Sequence, residues 1–352
     1  MSPSDGARTQ RSRPKARRAG GGHVTLRDVA AQAGVTSMTV SRALREPDAV
    51  SSRVREKVAT AVRDLGYLPN RFAGGLAARR SRLVTVIVSG ISASVYADAL
   101  RGADEVLRPL GYEVLISQLT ETPEQEERAV AALLGWQPEG VILSGIERTD
   151  ATRRMLHAAG VPVVEALELT DTPIDSNVGL DHRSAGIAMG RHLADRGYRR
   201  IAFYGARLDS DFRAFRRLEG LRAGLAECGL VPVRVVCSEA PSTPETGARF
   251  LRELLDDAAA PDAVFLSNDT IAMGALFEAQ RLGVAVPERI AIAGFGGSDI
   301  TAAINPPLTT IRFARREMGR RAALTLLDRI ERRAPPGQRV DVGFELLARG
   351  TT

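Results

Sequence analysis

Sulfur chemistry is nearly absent: the 352 residues include 2 cysteines, Cys228 and Cys237, without C-x-x-C spacing. No disulfide framework can form from such a pair, a reducing compartment fits, and both thiols are expected to pack as small apolar side chains. The 4 histidines, His23, His157, His182 and His192, form no cluster with Cys, Asp or Glu at metal-ligand spacing, so neither a metal nor another cofactor is expected. A phosphate-cradling G-x-x-x-x-G-K-[ST] loop is missing, as is a G-x-S-x-G elbow. "GFGG" at Gly294 to Gly297 follows an apolar run but lacks the full G-x-G-x-x-G frame. The chain therefore does not read as an enzyme. No segment reaches the roughly 18 uncharged apolar residues of a membrane span, and "MSPSDGARTQRSRPKARRAGGG" has no apolar signal-peptide core. A cytoplasmic protein is the expectation.

What is present is charge, unevenly spread. Of the net +6, residues 1–80 hold 16 Arg/Lys against 6 Asp/Glu, leaving 32 against 36 for the rest. A basic N-terminal quarter implies a polyanionic partner for that part. The Arg-, Pro-, Gly- and Ser-rich stretch 1–22 predicts a disordered tail, and the length predicts more than one domain.

In "VTLRDVAAQAGVTSMTVSRAL", Val24 to Leu44, Leu26, Val29, Ala30 and Ala33 fall at helical spacing. Thr25 precedes them with Asp28 three residues on, a capping-box pattern. Gly34 suits a tight turn, Thr36 can cap a second helix, and Val40, Ala43 and Leu44 give that helix an apolar face. Ser37, Met38, Ser41 and Arg42 are left on the other face. A third helix follows Ser51 or Ser52, with Val54, Val58, Ala61, Val62 and Leu65 inward and Gly66 at its end. Two short helices about a glycine turn, braced by a third, spell a helix-turn-helix over 23–68, whose second helix would lie in a DNA major groove. Arg42 then has a phosphate or a guanine edge as its target.

From Leu83 onward apolar, β-rich runs alternate with helical stretches: "LVTVIVS", "YEVLISQ", "GVILSG", "VPVVEAL", "SNVGLD", "RIAFYGA", "VRVVCSE", "AVFLSN" and "IAIAGFG". Alternation of this kind predicts parallel sheets covered by helices on both faces. Nine strands divide better into two doubly wound lobes than one sheet, with a crossover at Asp181 to Ala185, a second near "NPPLTTIRF", and a ligand cleft at the carboxyl ends of the strands. The expected architecture is α/β: an all-α headpiece, a hinge at 69–82, and a two-lobed domain at 83–352. Lobe 1 would span about 83–182 and 310–332, and lobe 2 about 183–309 and 333–352.

The run from Val24 through "VSSRVREKVATAVRDLGYLPNRFAGGLAARRS" resembles the DNA-binding headpiece and hinge of the lactose-repressor (LacI/GalR) family. The resemblance continues to the C-terminus, where "YGARLD", "ECGLVP", "FEAQRLGV" and "IAGFGGSDI", together with "TSMTVSR", look most like the gluconate-utilisation repressor branch. It implies periplasmic-binding-protein-like lobes, a homodimer on a near-palindromic operator, and a small-molecule effector acting allosterically. Thr25, Thr36, Ser37, Met38, Thr39, Ser41 and Arg42 would face DNA. In the hinge, Asn70, Arg71 and Ala73 would accompany Leu76, which matches a leucine that wedges into a minor-groove base step. Gly74 and Gly75 depart from the pattern and weaken that hinge as a helix. The absence of a leucine-heptad tail before Thr352 suggests a dimer rather than a tetramer.

For the effector, Arg217 matches the arginine that reaches the sugar in this family, although its pattern alone reads equally as a surface charge. Asn268 and Asp269 of "SNDT" match the pair facing the cleft. Tyr96 and Ser89 could line the rim, and Glu165 could accept from hydroxyls or serve structurally. Gly296 and Gly297 stand where many relatives carry acids, which would remove a negative charge and open space for an anionic sugar acid of gluconate type beside Arg217. A co-repressed or activating regulator answering to another sugar or sugar phosphate is the alternative.

Overall fold

A computed structural model describes residues 24–68, 81–88, 94–118, 123–206, 211–256 and 260–352. The chain divides into two compact units, Met1–Arg79 and Arg80–Thr352.

Within the first unit, α1 (Leu26–Ala33), α2 (Ser37–Arg45) and α3 (Ser52–Leu65) enclose a small core of Val29, Ala30, Ala33, Val40, Ala43, Val58 and Ala61. The Asp28 carboxylate accepts from the Thr25 N–H at 2.8 Å and from its hydroxyl at 2.7 Å, fixing the first turn. Gly34, at φ 66°, turns the chain between α1 and α2 in a conformation that costs a side chain dearly. Ser51 caps α3 by accepting from Val54 N–H, and Gly66, at φ 63°, closes it.

The second unit holds two six-stranded sheets. The first contains β1 (Leu83–Val88), β2 (Glu113–Gln118), β3 (Gly140–Ser144), β4 (Val163–Glu168), β5 (Ser176–Leu180) and β11 (Arg339–Asp341), in the order β11-β5-β4-β3-β1-β2. The second contains β6 (Ile201–Ala206), β7 (Arg234–Ser238), β8 (Ala263–Leu266), β9 (Ala291–Gly296), β10 (Thr309–Arg312) and β12 (Glu345–Leu347), in the order β12-β10-β9-β8-β6-β7. Every pairing is parallel except β10 with β12. The central strands β3, β4, β6 and β8 are buried throughout, as strands covered on both faces must be.

The helices between them are α4 (Ser94–Leu107), α5 (Pro123–Leu134), α6 (Asp150–Ala159), α7 (His182–Asp195), α8 (Phe212–Ala226), α9 (Pro244–Leu255), α10 (Asp269–Leu282), the short α11 (Ile300–Ala303) and α12 (Arg315–Ile330). Among the described residues no helix is long and apolar enough to cross a membrane.

The lobe boundaries read from sequence need correction at two strands. Thr309–Arg312 pairs with β9 and so stays in the second sheet, and the chain returns to the first lobe only afterwards, as α12. Arg339–Asp341 pairs with β5 in the first sheet before Glu345–Leu347 ends the second. "VDVGFELLAR" is thus two short strands in two sheets, a split its continuous apolar pattern does not reveal. Cys228 and Cys237 are both exposed rather than packed, each near the open β7 edge of its sheet or the turn before it.

Glycines let helices approach closely. On α7 and α8, a Cβ at Gly186 would fall 2.2 Å from the Arg217 carbonyl oxygen, and one at Gly220 would fall 2.0 Å from that of Arg183. Gly186→Ala therefore tests the packing by its sign. A free helix surface would gain about 1 kcal/mol from alanine, whereas this contact predicts a loss of about 1–3 kcal/mol. The midpoint of urea unfolding distinguishes the two, and a raised midpoint would contradict the contact.

Candidate functional site

On the headpiece, Ser37, Met38, Ser41 and Arg42 occupy one outward side of α2, opposite buried Val40 and Ala43. Met38 on that side is 82% exposed. Thr36 accepts from the Thr39 N–H at 3.1 Å, and the two hydroxyls lie 2.9 Å apart, so both are partly spent on the cap. Thr25 is exposed but tied to Asp28. Arg45, in the last turn on the same side and also exposed, was not singled out from sequence although the i+4 spacing from Ser41 marks it. Asn70, Arg71, Ala73 and Leu76 lie outside the described residues, as do the tail 1–22 and Ser89.

In the large unit the two lobes meet at α7 and α8. His182 is the first residue of α7, placed there by Asp181, whose carboxylate caps the helix by accepting from Ser184 N–H at 3.0 Å. Its ring Nε2 lies 3.1 Å from the Leu167 carbonyl oxygen and its Nδ1 lies 2.9 Å from Arg217 Nη1. A carbonyl only accepts, so Nε2 carries the hydrogen and Nδ1 is left to accept from the guanidinium. Burial, and then the nearby Arg217 and Arg213, hold the imidazole well below its ordinary pKa, so it is neutral.

Arg217 is itself 4% exposed, with its guanidinium 4.2 Å over the Phe295 ring. Burial pulls its pKa down to about 10, against the pull of Asp211, which still leaves it charged at neutral pH. Among the described residues its nearest carboxylate oxygen, Asp211 Oδ2, is 3.9 Å away, and its Nε has no hydrogen-bond partner.

One turn earlier on α8, Arg213 donates to the Tyr96 hydroxyl at 3.2 Å, joining lobe 2 to α4 of lobe 1. Burial opposes its charge, yet Tyr96, Asp211 and Glu168 together raise its pKa. Asp211 caps α8 through Ala214 N–H at 3.0 Å. Glu168 is 6% exposed, and burial pushes its carboxyl up while Arg213 holds it down.

Glu165 is not at this meeting point. Its Oε2 accepts from Ile174 N–H at 2.8 Å, and the cations acting on it are Arg153 and Arg148. Residues 165 and 168 lie on opposite faces of a strand, so the carboxylate beside the two arginines is Glu168, which the sequence reading passed over.

Asn268 and Asp269 open α10 and are both engaged within the chain. Asn268 caps α10 through Ile271 N–H at 3.1 Å and donates to Ser242 at 3.0 Å. Asp269 accepts from the Thr310 hydroxyl at 2.6 Å and from Ser298 N–H at 2.9 Å; burial pushes its carboxyl up, against these bonds. At Gly296 (φ 135°) a Cβ would lie 3.1 Å from Asp269 Oδ2, so an acid there would press on a buried carboxylate. Gly297 (φ 66°) opens no space: a Cβ would fall 2.5 Å from that of Arg312. The gain predicted from the glycine pair therefore rests on Gly296 alone. Arg315 spans the same junction, donating to the Gly297 carbonyl at 3.3 Å and lying 3.4 Å from Asp98.

The structure thus brings Tyr96 and Arg217 into one group with His182, Arg213, Asp211, Glu168 and Phe295, while Asp269 and Gly296 adjoin each other and no hydrogen bond, ion pair or ring contact among the described residues ties them to Arg217. The sequence carried a signal for Arg213, four residues before Arg217 on one helix face, but none that separated His182 from an ordinary core histidine.

Residues 25–70 match the profile described as "Bacterial regulatory proteins, lacI family", and residues 191–352 match "Periplasmic binding protein-like domain". Over 335 residues the chain is 40% identical to the HTH-type transcriptional regulator GntR of Pseudomonas aeruginosa, covering 94% of this chain and 96% of that protein. The chain belongs to the LacI family. This LacI-family protein is also 37% identical to the HTH-type transcriptional regulator GntR of Escherichia coli K12, covering 93% of the one and 98% of the other. Among solved structures, a Lacl family transcriptional regulator from Silicibacter pomeroyi superposes with a TM-score of 0.87 at 35% identity, over 93% of this chain and 99% of that one. The lac repressor dimer bound to operator and the anti-inducer ONPF gives 0.80 at 27%, over 94% and 99%. The protein is a DNA-binding transcriptional regulator with a helix-turn-helix headpiece and a periplasmic-binding-like domain.

Proposed function

We propose that this LacI-family protein is a homodimeric repressor of sugar-acid catabolism, released from a near-palindromic operator by a gluconate-type effector bound between the lobes. One observation carries the choice of an anion: Arg217 is buried and charged, yet among the described residues it has no carboxylate within hydrogen-bonding distance and one N–H without a partner. A buried cation in that state is costly, and an anionic ligand would complete it. Gly296 supports the same reading, because an acid there would oppose such a ligand. The curated relatives named GntR agree with it.

On DNA, Ser37, Met38, Ser41 and Arg42 would read the major groove, with Thr25, Thr36 and Thr39 at the backbone. Asn70, Arg71, Ala73 and Leu76 would enter the minor groove between half-sites. The effector need only prefer the conformation that binds DNA poorly, typically by about 1–3 kcal/mol.

The test is a melt of the purified full chain with D-gluconate, 6-phosphogluconate and D-glucose. An effector at about 100 times its dissociation constant adds about 2.7 kcal/mol of stability. Gluconate is expected to raise the midpoint and to displace a labelled inverted-repeat fragment. A rise with glucose alone would overturn the anionic reading, and one with 6-phosphogluconate alone would move it to a sugar phosphate.

A further inference from the structure

A guanidinium has five N–H groups in one plane, and how it meets a ligand depends on which of them are already committed. Arg217 has its plane set by the Phe295 ring at 4.2 Å, while rotation within that plane is set by the bond from Nη1 to His182 Nδ1 at 2.9 Å. What remains is the side edge, Nε–H and the outer Nη2–H, which point the same way. Among the described residues Nε has no partner, and the carboxylate nearest Nη2 is 3.9 Å off. Two parallel N–H donors match the two oxygens of a carboxylate.

We infer that His182 is a positioning residue that turns the Arg217 guanidinium so that its Nε/Nη2 edge serves as a fork for the carboxylate of the effector. This inference rests on the sugar-acid reading of the cleft and adds to it the group that selects a carboxylate. His182 can do this because its own ring is held from three sides. Nε2–H donates to Leu167 at the end of β4, the ring lies 5.4 Å from that of Phe295 on β9, and the residue opens α7. An apolar side chain at 182 would free Nη1 to reach for Asp211 or Glu168, and the fork would turn away from the ligand.

The two nitrogens of His182 can be replaced separately. His182→Asn keeps an acceptor near the place of Nδ1 and gives up the bond to Leu167. His182→Gln keeps a donor near the place of Nε2 and gives up the acceptor facing Arg217. Titration calorimetry of D-gluconate on the full chain is expected to find His182→Asn within about threefold of wild type, and His182→Gln weaker by about tenfold or more, the worth of one charge-assisted hydrogen bond. The reverse order would overturn the inference, because it would mean that the tie to Leu167 is what matters; thermal midpoints of both variants confirm that they are folded. A second measurement needs no ligand: nitrogen-15 NMR of labelled histidine in the wild-type chain is expected to show His182 neutral with hydrogen on Nε2 at pH 7. Hydrogen on Nδ1, or a doubly protonated ring, overturns the inference whatever gluconate does. Wild-type protein that ignores gluconate yet shows the Nε2–H ring removes the proposed effector and the fork with it, while the His182–Arg217 bond stands.

Discussion

Arg217→Leu is expected to abolish the effector response while leaving operator affinity unchanged. The substitution removes the charge, Arg213 remains as the counter-charge of Asp211 and Glu168, and leucine can still cover the Phe295 ring from which the guanidinium is lost. Two charge-assisted hydrogen bonds to a carboxylate are together worth about 3 kcal/mol, so gluconate affinity should fall roughly a hundredfold. The operator complex would then persist at effector concentrations that release the wild-type protein. Arg217→Lys sharpens the test, since an ammonium of equal charge cannot present two parallel donors. If lysine restores full affinity, charge alone attracts the ligand and the fork geometry is irrelevant. Equal gluconate affinity in Arg217→Leu and wild type would place the effector elsewhere.

How far such a site could be read beforehand depends on the range of the interactions that build it. The headpiece was legible almost residue by residue, because its signals are local. Thr25 with Asp28, Gly34, Thr36, Ser51 and Gly66 each act within one helical turn, and each is found doing the predicted work. The central strands β3, β4, β6 and β8 were legible for a related reason, since a strand buried on both faces must be apolar along its length. The short strands β10, β11 and β12 were not, since at three or four residues the partner strand and not the pattern decides pairing, and the lobe boundaries drawn at 310 and 333 went wrong at β10 and β11.

The cleft was legible only through the resemblance, and only in part. Arg217 is buried rather than a surface charge, and the carboxylate near it is Glu168 and not Glu165, because a three-residue step along β4 changes the face presented. His182 was invisible for a deeper reason. Its contact with Arg217 spans 35 residues and depends on α7 and α8 approaching through Gly186 and Gly220, a closeness that no local pattern encodes. Asn268 and Asp269 show the converse: the matched residues are there, but polar atoms of both are bound within the chain, to Ser242, Ser298 and Thr310, through contacts that no local pattern announces.

Arg42→Ala is expected to weaken operator binding by about 1–3 kcal/mol, or roughly 10- to 100-fold, without unfolding the headpiece. Arg42 is exposed on the outward side of α2, and no hydrogen bond or ion pair of its side chain is found among the described residues, so its removal leaves no group unsatisfied. The apolar contacts that hold α2 in place come from Val40 and Ala43 on the opposite side. The form of the loss identifies what the arginine touches. A guanidinium on a guanine edge gives a defect confined to one base pair, with the salt dependence nearly intact. A guanidinium on a phosphate weakens all sequences alike and lowers the slope of log affinity against log salt by about 0.9. Fluorescence anisotropy on a set of single-base operator variants at several salt concentrations reads both. The side of α2 shared with Ser37, Met38 and Ser41 favours the base edge, because a helix entering the groove points its early outward residues at the bases and leaves the backbone to its flanks. Unaltered affinity across that whole set would mean that this side of α2 does not meet DNA.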